Sequence, residues 1–388
     1  MIFIDKPYVS DFLRKTIKEN GFPVVKTKIA EKLGFSNGLN ILDEEKAIQQ
    51  AESSENIMIY TTSENSIGWI AEHLSSTKIP QRIELFKDKV QFRTLIKPMY
   101  PDFYFREIQL YELDDLSVSN IPMPFIIKPK VGFFSMGVYK VTSSQKWEQV
   151  KEAMKVEIRR AKDYYPTEVF NTESFIIEQC IEGEEFAVDA YFDATGEPVI
   201  LNIHKHIFSS SEDVSDRVYI SSKEIIQNNI DQFSAFLNQI GRLSGVKNFP
   251  VHAEIRRDRT GSVLPIEINP MRFGGWCSTA DATYLAYGFN PYVLYFSQER
   301  PDWTELLKNK IEKLYSIIVL DNSTGIEGTQ IASFDYDRLL SNFENPLELR
   351  KIDYNEYPVF GFLFTETKEE NIVELERILK SDLKEFIT

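Results

Sequence analysis

Short apolar runs bounded by turn residues alternate with stretches of helical spacing over the first part of the chain. Residues 2–5 read as a buried strand, 9–20 as a helix stopped by Gly21, and 23–27 as a second strand. Another strand follows at 57–62, with a helix at 66–74 behind it. Strand and helix in alternation predict an open α/β lobe over residues 1–82. Helical spacing runs from 83 to 96 and is broken by Pro98 and Pro101, a linker into a small lobe that reaches residue 190. That lobe mixes strands with helices, including a charged helix over 145–164 with one apolar face. A larger lobe over 191–297 holds a strand at 198–206, a polar stretch at 209–216, a helix at 229–245 and then a pair of strands. Apolar runs at 316–320 and 358–364 read as strands and 370–387 as a closing helix, so residues 298–388 form a C-terminal α/β appendage. The fold class predicted is α/β combined with α+β.

The pair of strands carries the most informative chemistry. In His252-Ala253-Glu254-Ile255 and Val263-Leu264-Pro265-Ile266-Glu267-Ile268-Asn269-Pro270, polar and apolar positions alternate with the strand period. Glu267 and Asn269 therefore share one face while Ile266 and Ile268 fill the other, and Glu254 can oppose them across a turn at 258–262. Three oxygen ligands on neighbouring strands suit Mg2+, which keeps several waters and takes its remaining ligands from nucleotide phosphates. A phosphate-gripping segment should accompany them, and residues 124–141 (PFIIKPKVGFFSMGVYKV) fit. Lys128 lies near the end of an apolar strand, and Gly132, Ser135 and Gly137 let backbone N–H groups approach phosphate oxygens. Neither the P-loop pattern nor a G-x-G-x-x-G turn opening a helix occurs.

Composition narrows the setting. The 388 residues exceed one ordinary core, and 28 Phe supply ample material to bury. A net charge of −15 repels polyanions, so nucleic acid and anionic membrane are not expected partners. Cys180 and Cys277 stand far apart, without the spacing of a zinc site or a disulfide framework. The start lacks a basic region followed by a long apolar stretch, and no apolar run reaches ~18 residues, so a cytoplasmic protein is expected. His204-Lys205-His206 lacks further ligands for zinc, and no G-x-S-x-G elbow marks a hydrolase.

Residues 175–189 (FIIEQCIEGEEFAVD) run from an apolar strand through an acidic turn and out again. The lysine strand, this E-x-x-I-x-G-x-E hinge and the E-x-N strand, in that order within residues 89–295, resemble the ATP-grasp superfamily, best known from carboxylate–amine ligases. The resemblance implies an ATP-grasp fold with residues 1–82 as the pre-ATP-grasp lobe. It implies ATP as cofactor and two Mg2+ ions, replaceable by Mn2+, on Glu254, Glu267 and Asn269, with Glu267 shared. It places Lys128 on the α/β-phosphates, with Ser135 and Gly137 in the phosphate loop. Arg93, in Asp88-Lys89-x-x-x-Arg93, stands where relatives carry a second phosphate-binding lysine. From Glu178 onward, the hinge would offer backbone groups of Gln179 and Ile181 to adenine. Glu185 would accept the ribose hydroxyls, with Glu184 as the competing choice. Arg272 looks like the arginine that orients the acyl phosphate or the acceptor carboxylate, set one residue further from Asn269 than in the common N-P-R form. Lys205 and Arg217 are alternative ligands for the γ-phosphate, Arg217 following a lid at 209–213. Trp276, Ser278 and Asp281 are candidate specificity residues.

The function implied is an ATP-dependent ligase that activates a carboxylate as an acyl phosphate and joins it to an amine, releasing ADP and phosphate. Its partners would be a small-molecule carboxylate and amine, amino acids or a small peptide; the oligomeric state is left open by the sequence, a symmetric homodimer being the commonest arrangement. Two alternatives compete. One is carboxylation through carboxyphosphate, as in biotin carboxylase-like members, whose E-x-N-x-R strand is missing here. The other is a non-catalytic ATP-binding regulatory protein, against which the full metal set argues.

Overall fold

The computed structural model describes residues 1–36, 38–132, 137–161, 173–210 and 215–388. Three sheets organise it. The first is parallel, in the order β3-β2-β1-β4, from β1 (Ile2–Phe3), β2 (Val24–Val25), β3 (Ile41–Leu42) and β4 (Tyr60–Thr61). Its first helix, Asp11–Asn20, starts where Ser10 Oγ accepts the Leu13 N–H and stops at Gly21, whose φ of 63° few other residues adopt. The second sheet is antiparallel, in the order β5-β8-β6-β7, from β5 (Phe105–Gln109), β6 (Phe125–Pro129), β7 (Tyr139–Val141) and β8 (Ser174–Gln179). Phe125, Ile127, Phe175 and Ile177 face the helix Ser144–Ala161 through Trp147, Val150 and Met154. By strand alternation, Lys128 and Glu178 point from the opposite face.

The third sheet has eight antiparallel strands in the order β13-β12-β9-β10-β11-β14-β16-β15. They are β9 (Glu184–Phe192), β10 (Pro198–Ile207), β11 (Val218–Ser222), β12 (Phe249–Arg257), β13 (Val263–Pro270), β14 (Lys313–Asp321), β15 (Pro346–Lys351) and β16 (Val359–Lys368). One face is apolar. Phe186, Val188, Ile203, Val251, Ala253 and Ile268 join the core with Phe233, Phe236, Leu237 and Ile240 of the helix Lys223–Ser244. Each such side chain contributes roughly 1.5–3 kcal/mol of burial, which anchors the sheet while its other face carries the polar set.

Four expectations change in detail. The helical stretch at 83–96 is two helices, Ile79–Lys87 and Lys89–Ile96, because the Asp88 carboxylate accepts the N–H groups of Val90 and Gln91 and so caps a new start. The C-terminal segment is α/β, and its strands continue the large sheet through the β11–β14 pairing. Its closing helix is shorter than expected, Val373–Lys380, ending before Leu383 takes a left-handed conformation. The small and large sheets part at the turn before Glu184, so the anticipated boundary at residue 190 falls within β9.

Candidate active site

The polar faces of the two antiparallel sheets converge on one set of charges. Lys128, on β6, extends its ammonium to Glu178 Oε1 at 2.6 Å, and Arg93 Nε meets the other oxygen of Glu178 at 2.6 Å. All three side chains are buried. Burial alone would push the Glu178 carboxyl up, but Arg93 and Lys128 outweigh it and hold the pKa at about 2. Burial in turn lowers the Lys128 pKa, against the pull of Glu178.

On the large sheet, β12 and β13 pair with Glu254 opposite Glu267 and His252 opposite Asn269. Asn269 Nδ2 donates to Glu254 Oε1 at 3.2 Å and to Glu267 Oε1 at 3.1 Å, drawing the two carboxylates together. Burial and the neighbouring Glu267 charge raise the Glu254 pKa well above the carboxylate range. Burial also opposes the charge on Glu267, but Lys89 and Lys128 overcome it and its pKa falls. Lys89 Nζ reaches Glu267 Oε2 at 3.3 Å. Glu254 and Glu267 keep 33% and 26% of their side-chain surface open, whereas Glu178 keeps 4%, so the former can still meet a ligand. Among the described residues no group of three His, Cys, Asp or Glu forms a ready-made metal cage. Two part-exposed carboxylates with a buried amide between them fit a hard divalent ion that completes its shell with water and phosphate.

A third cluster closes the cleft from the first sheet's side. Glu64 accepts from Arg272 Nη2 at 2.6 Å and pairs with Lys87, whose ammonium also lies 3.4 Å from the Gly132 carbonyl. Burial would raise the Glu64 pKa, yet Lys87 and Arg272 hold it at about 2. Met271, between Pro270 and Arg272, is held in an unusual conformation. It takes a φ of 66°, and its carbonyl accepts the Thr61 N–H at 2.8 Å, so the turn before Arg272 is fastened to β4.

The hinge lies at the far end of the same faces. Glu185 accepts from His206 Nδ1 at 3.1 Å and Arg256 Nε at 2.9 Å, while Glu184 points to the other sheet face, to Lys205 and Arg257. The Gln179 N–H donates to the Tyr104 carbonyl at 3.0 Å and the Ile181 carbonyl accepts from Arg256 Nη1 at 2.6 Å. The Ile181 N–H has no protein partner among the described residues. Gly183 is required by space, because a Cβ there would sit 2.1 Å from the Arg257 carbonyl oxygen.

Several expected residues are placed elsewhere. Lys205 lies on the helix-side face: its ammonium binds Glu184 at 2.6 Å, and Glu184 binds Arg257, which reaches Asn229 of the helix Lys223–Ser244. Strand alternation explains this, since His204 and His206 take the cleft face of β10 and exclude Lys205 from it. Arg217 is locked to the C-terminal segment through Asp321, Ser323 and the carbonyls of Ile378 and Ser381. Neither residue is presented to a γ-phosphate here. Arg93 is likewise spent, its Nη1 donating to the Pro265 carbonyl at 2.8 Å behind the Glu178 pair. Lys89, one turn earlier, is the helix cation that faces the cleft. Ser135 and residues 211–213 of the expected lid lie outside the described residues, while Gly137 is described with a φ of 69°. Ser278 donates to the Gly275 carbonyl and Asp281 pairs with Arg350, so both are occupied in packing. Sequence reading assigned no site role to Glu64, Lys87 or Lys89; the alternating charges of Lys87-Asp88-Lys89 would suit a solvated helix terminus equally, and Glu64 stands alone among uncharged residues.

Residues 121–280 match the sequence profile of the ATP-grasp domain. No curated protein matches in sequence. Similar solved structures include an L-amino acid ligase from Bacillus licheniformis, at a TM-score of 0.68 and 16% identity, covering 100% of this chain and 97% of that one. An N5-carboxyaminoimidazole synthase from Aspergillus clavatus, in complex with ADP and 5-aminoimidazole ribonucleotide, matches at 0.65 and 12% identity, covering 99% and 98%. A biotin carboxylase in complex with an ATP species from Campylobacter jejuni matches at 0.62 and 12%, covering 100% and 91%. Among the described residues no helix is long and apolar enough to cross a membrane.

Proposed function

The chain has the ATP-grasp fold, and on that premise we propose that it is an ATP-dependent carboxylate–amine ligase of small molecules, amino acids or short peptides. The observation that carries this reading is the Glu254–Glu267 register with the Asn269 amide between, facing Lys89 and Lys128 across the cleft. ATP lies between the two sheets. Its adenine edge meets the Ile181 N–H, and its ribose meets Glu185, which His206 and Arg256 hold in place. Lys128, Lys89 and Lys87 take the phosphates, exchanging carboxylate partners for phosphate oxygens of similar geometry. Mg2+ would be held by Glu254, Glu267 and the Asn269 side chain; bound there, it would neutralise charge on the β- and γ-phosphates.

Arg272 receives the substrate carboxylate and holds it in line with the γ-phosphate, its aim set by Glu64. Carboxylate attack forms the acyl phosphate and ADP, and an amine then displaces phosphate to give the amide. Phosphoryl transfer of this kind needs positioning and charge stabilisation rather than a side-chain nucleophile. The cationic side chains supply both. The test is incubation with ATP, Mg2+ and a pool of amino acids, with hydroxylamine present to trap an acyl phosphate as its hydroxamate. Acid-dependent ADP and hydroxamate are expected. Nucleotide binding with no acid-dependent ADP from broad pools would favour the regulatory binder instead.

A further inference from the structure

The loop after Arg272 has an unusual backbone. Trp276 and Cys277 are consecutive non-glycine residues in the left-handed region, with φ of 58° and 56°, a conformation that persists only where surroundings enforce it. One end of the loop is fixed by the Gly274 N–H, which donates to Asp189 Oδ1 at 3.0 Å and Thr279 Oγ1 at 2.8 Å. A Cβ at Gly274 would come within 2.3 Å of that Thr279 oxygen. Asp189 also accepts from His252, on β12 opposite Asn269, so the loop is tied to the floor of the cleft.

The other end is fixed by a residue far away in sequence. Arg350, on β15, donates from Nη1 to the Trp276 carbonyl at 2.9 Å and from Nη2 to Asp281 Oδ2 at 2.6 Å. Its guanidinium lies over the rings of Tyr8, at 4.9 Å, and Phe364, at 5.1 Å. Asp281 Oδ1 accepts in turn from Tyr292. The Trp276 ring packs on Tyr8, Tyr357 and Phe362. A single guanidinium thus joins the first lobe, the loop and the C-terminal strands, with both members of the ion pair buried. A buried pair is a poor source of net stability, but its planar fork fixes one arrangement of its neighbours.

We propose that Arg350 is a positioning residue for the ligase reaction, setting the Trp276 loop and through it the placement of Arg272 and the substrate pocket. The C-terminal segment is then a working wall of the active site. This rests on the ligase reading above, and the experiment separates the two. Arg350→Lys and Arg350→Met are compared with wild type by hydrogen exchange of peptides spanning 272–281 and 252–269, by Mg·ADP affinity, and by ADP release with an amino-acid pool. The expected result is faster exchange confined to 272–281, with Mg·ADP affinity within about threefold. The pool concentration for half-maximal rate rises about tenfold or more in Arg350→Met, with a smaller change in maximal rate, and Arg350→Lys recovers part of it. Unchanged exchange in 272–281, or loss of protection throughout the molecule, overturns the proposal. Should the ligase reading fail and no turnover be found, the exchange result still decides whether Arg350 holds the loop. If neither variant folds, Tyr8→Leu, which removes one ring from the guanidinium, must show the same local exchange change in smaller amplitude; its absence overturns the proposal equally.

Discussion

The buried Glu178 cluster and the partly open Glu254–Glu267 pair lie on facing sheets, and Glu178 and Glu254 stand in opposite electrostatic states. Glu178 has a cation on each oxygen, at 2.6 Å and 2.6 Å, and its pKa is pulled to about 2. Glu254 has a second carboxylate opposite it and its pKa is driven up. The first is a completed ion-pair set that fixes Lys128 in place without a ligand. The second is incomplete and calls for positive charge from outside. Among these carboxylates, a cation on each oxygen marks Glu178 as the scaffold that positions Lys128, and the lack of a cation of its own marks Glu254, beside Glu267, as part of the ligand site.

Substitutions sharpen that contrast in order of size. Glu267→Ala should abolish turnover, by at least about a thousandfold, while leaving the protein folded, since the side chain is partly open and losing its pair with Lys89 is offset by relieving Glu254 of a neighbouring charge; acid-dependent ADP release checks the first and urea unfolding the second. Glu178→Gln should do the reverse in kind: it leaves Arg93 and Lys128 buried without a counter-charge and destabilises by about 3–5 kcal/mol in the same unfolding assay. Equal stability losses in the two variants would erase the distinction.

The pH dependence separates the cleft face further. His204, fully buried on β10, has its pKa lowered by burial from 6.5 to about 4. Below pH 6.5 the unfolded chain takes up that proton while the folded one does not, so stability falls between pH 6.5 and 4 by up to about 3 kcal/mol. Glu178 and Glu64, held at about 2, contribute stability above the ordinary 4.5 and lose it only as pH falls from there towards 2. The two windows do not overlap appreciably. His204→Gln should flatten the upper window alone, which unfolding at pH 7 and pH 4 would show. Smallest of all, Lys205→Ala should change Mg·ATP affinity by less than about twofold, because its ammonium serves the opposite sheet face. A tenfold loss would restore it as a phosphate ligand.

The sequence made the carboxylate face legible because period-two alternation is a local property: Glu267 and Asn269 on one side and Glu254 across a turn follow from spacing alone. The same rule, applied to β10, would have removed Lys205 in favour of His204 and His206. Arg93 and Lys89 lie one turn apart on the same side of one short helix, and what separates them is the non-local partner each meets, Glu178 and the Pro265 carbonyl for Arg93 and Glu267 for Lys89. Arg217 departs from expectation, and Arg350 goes unnoticed in the sequence, for a non-local reason. Each pairs with a carboxylate brought close by the large sheet, Asp321 from β14 and Asp281 behind the loop, and no window of sequence contains both partners. The joining of the C-terminal strands to the large sheet was hidden likewise, since strand identity is local and strand partnership is not.

The most direct measurement is calorimetric titration of ATP into the protein with and without Mg2+, repeated with Lys128→Ala. A single site is expected with Mg2+ present, weakened about tenfold or more by either metal removal or the lysine substitution. No heat of binding for ATP in the presence of Mg2+, or affinity indifferent to both changes, would contradict the placement of a nucleotide between the two sheets.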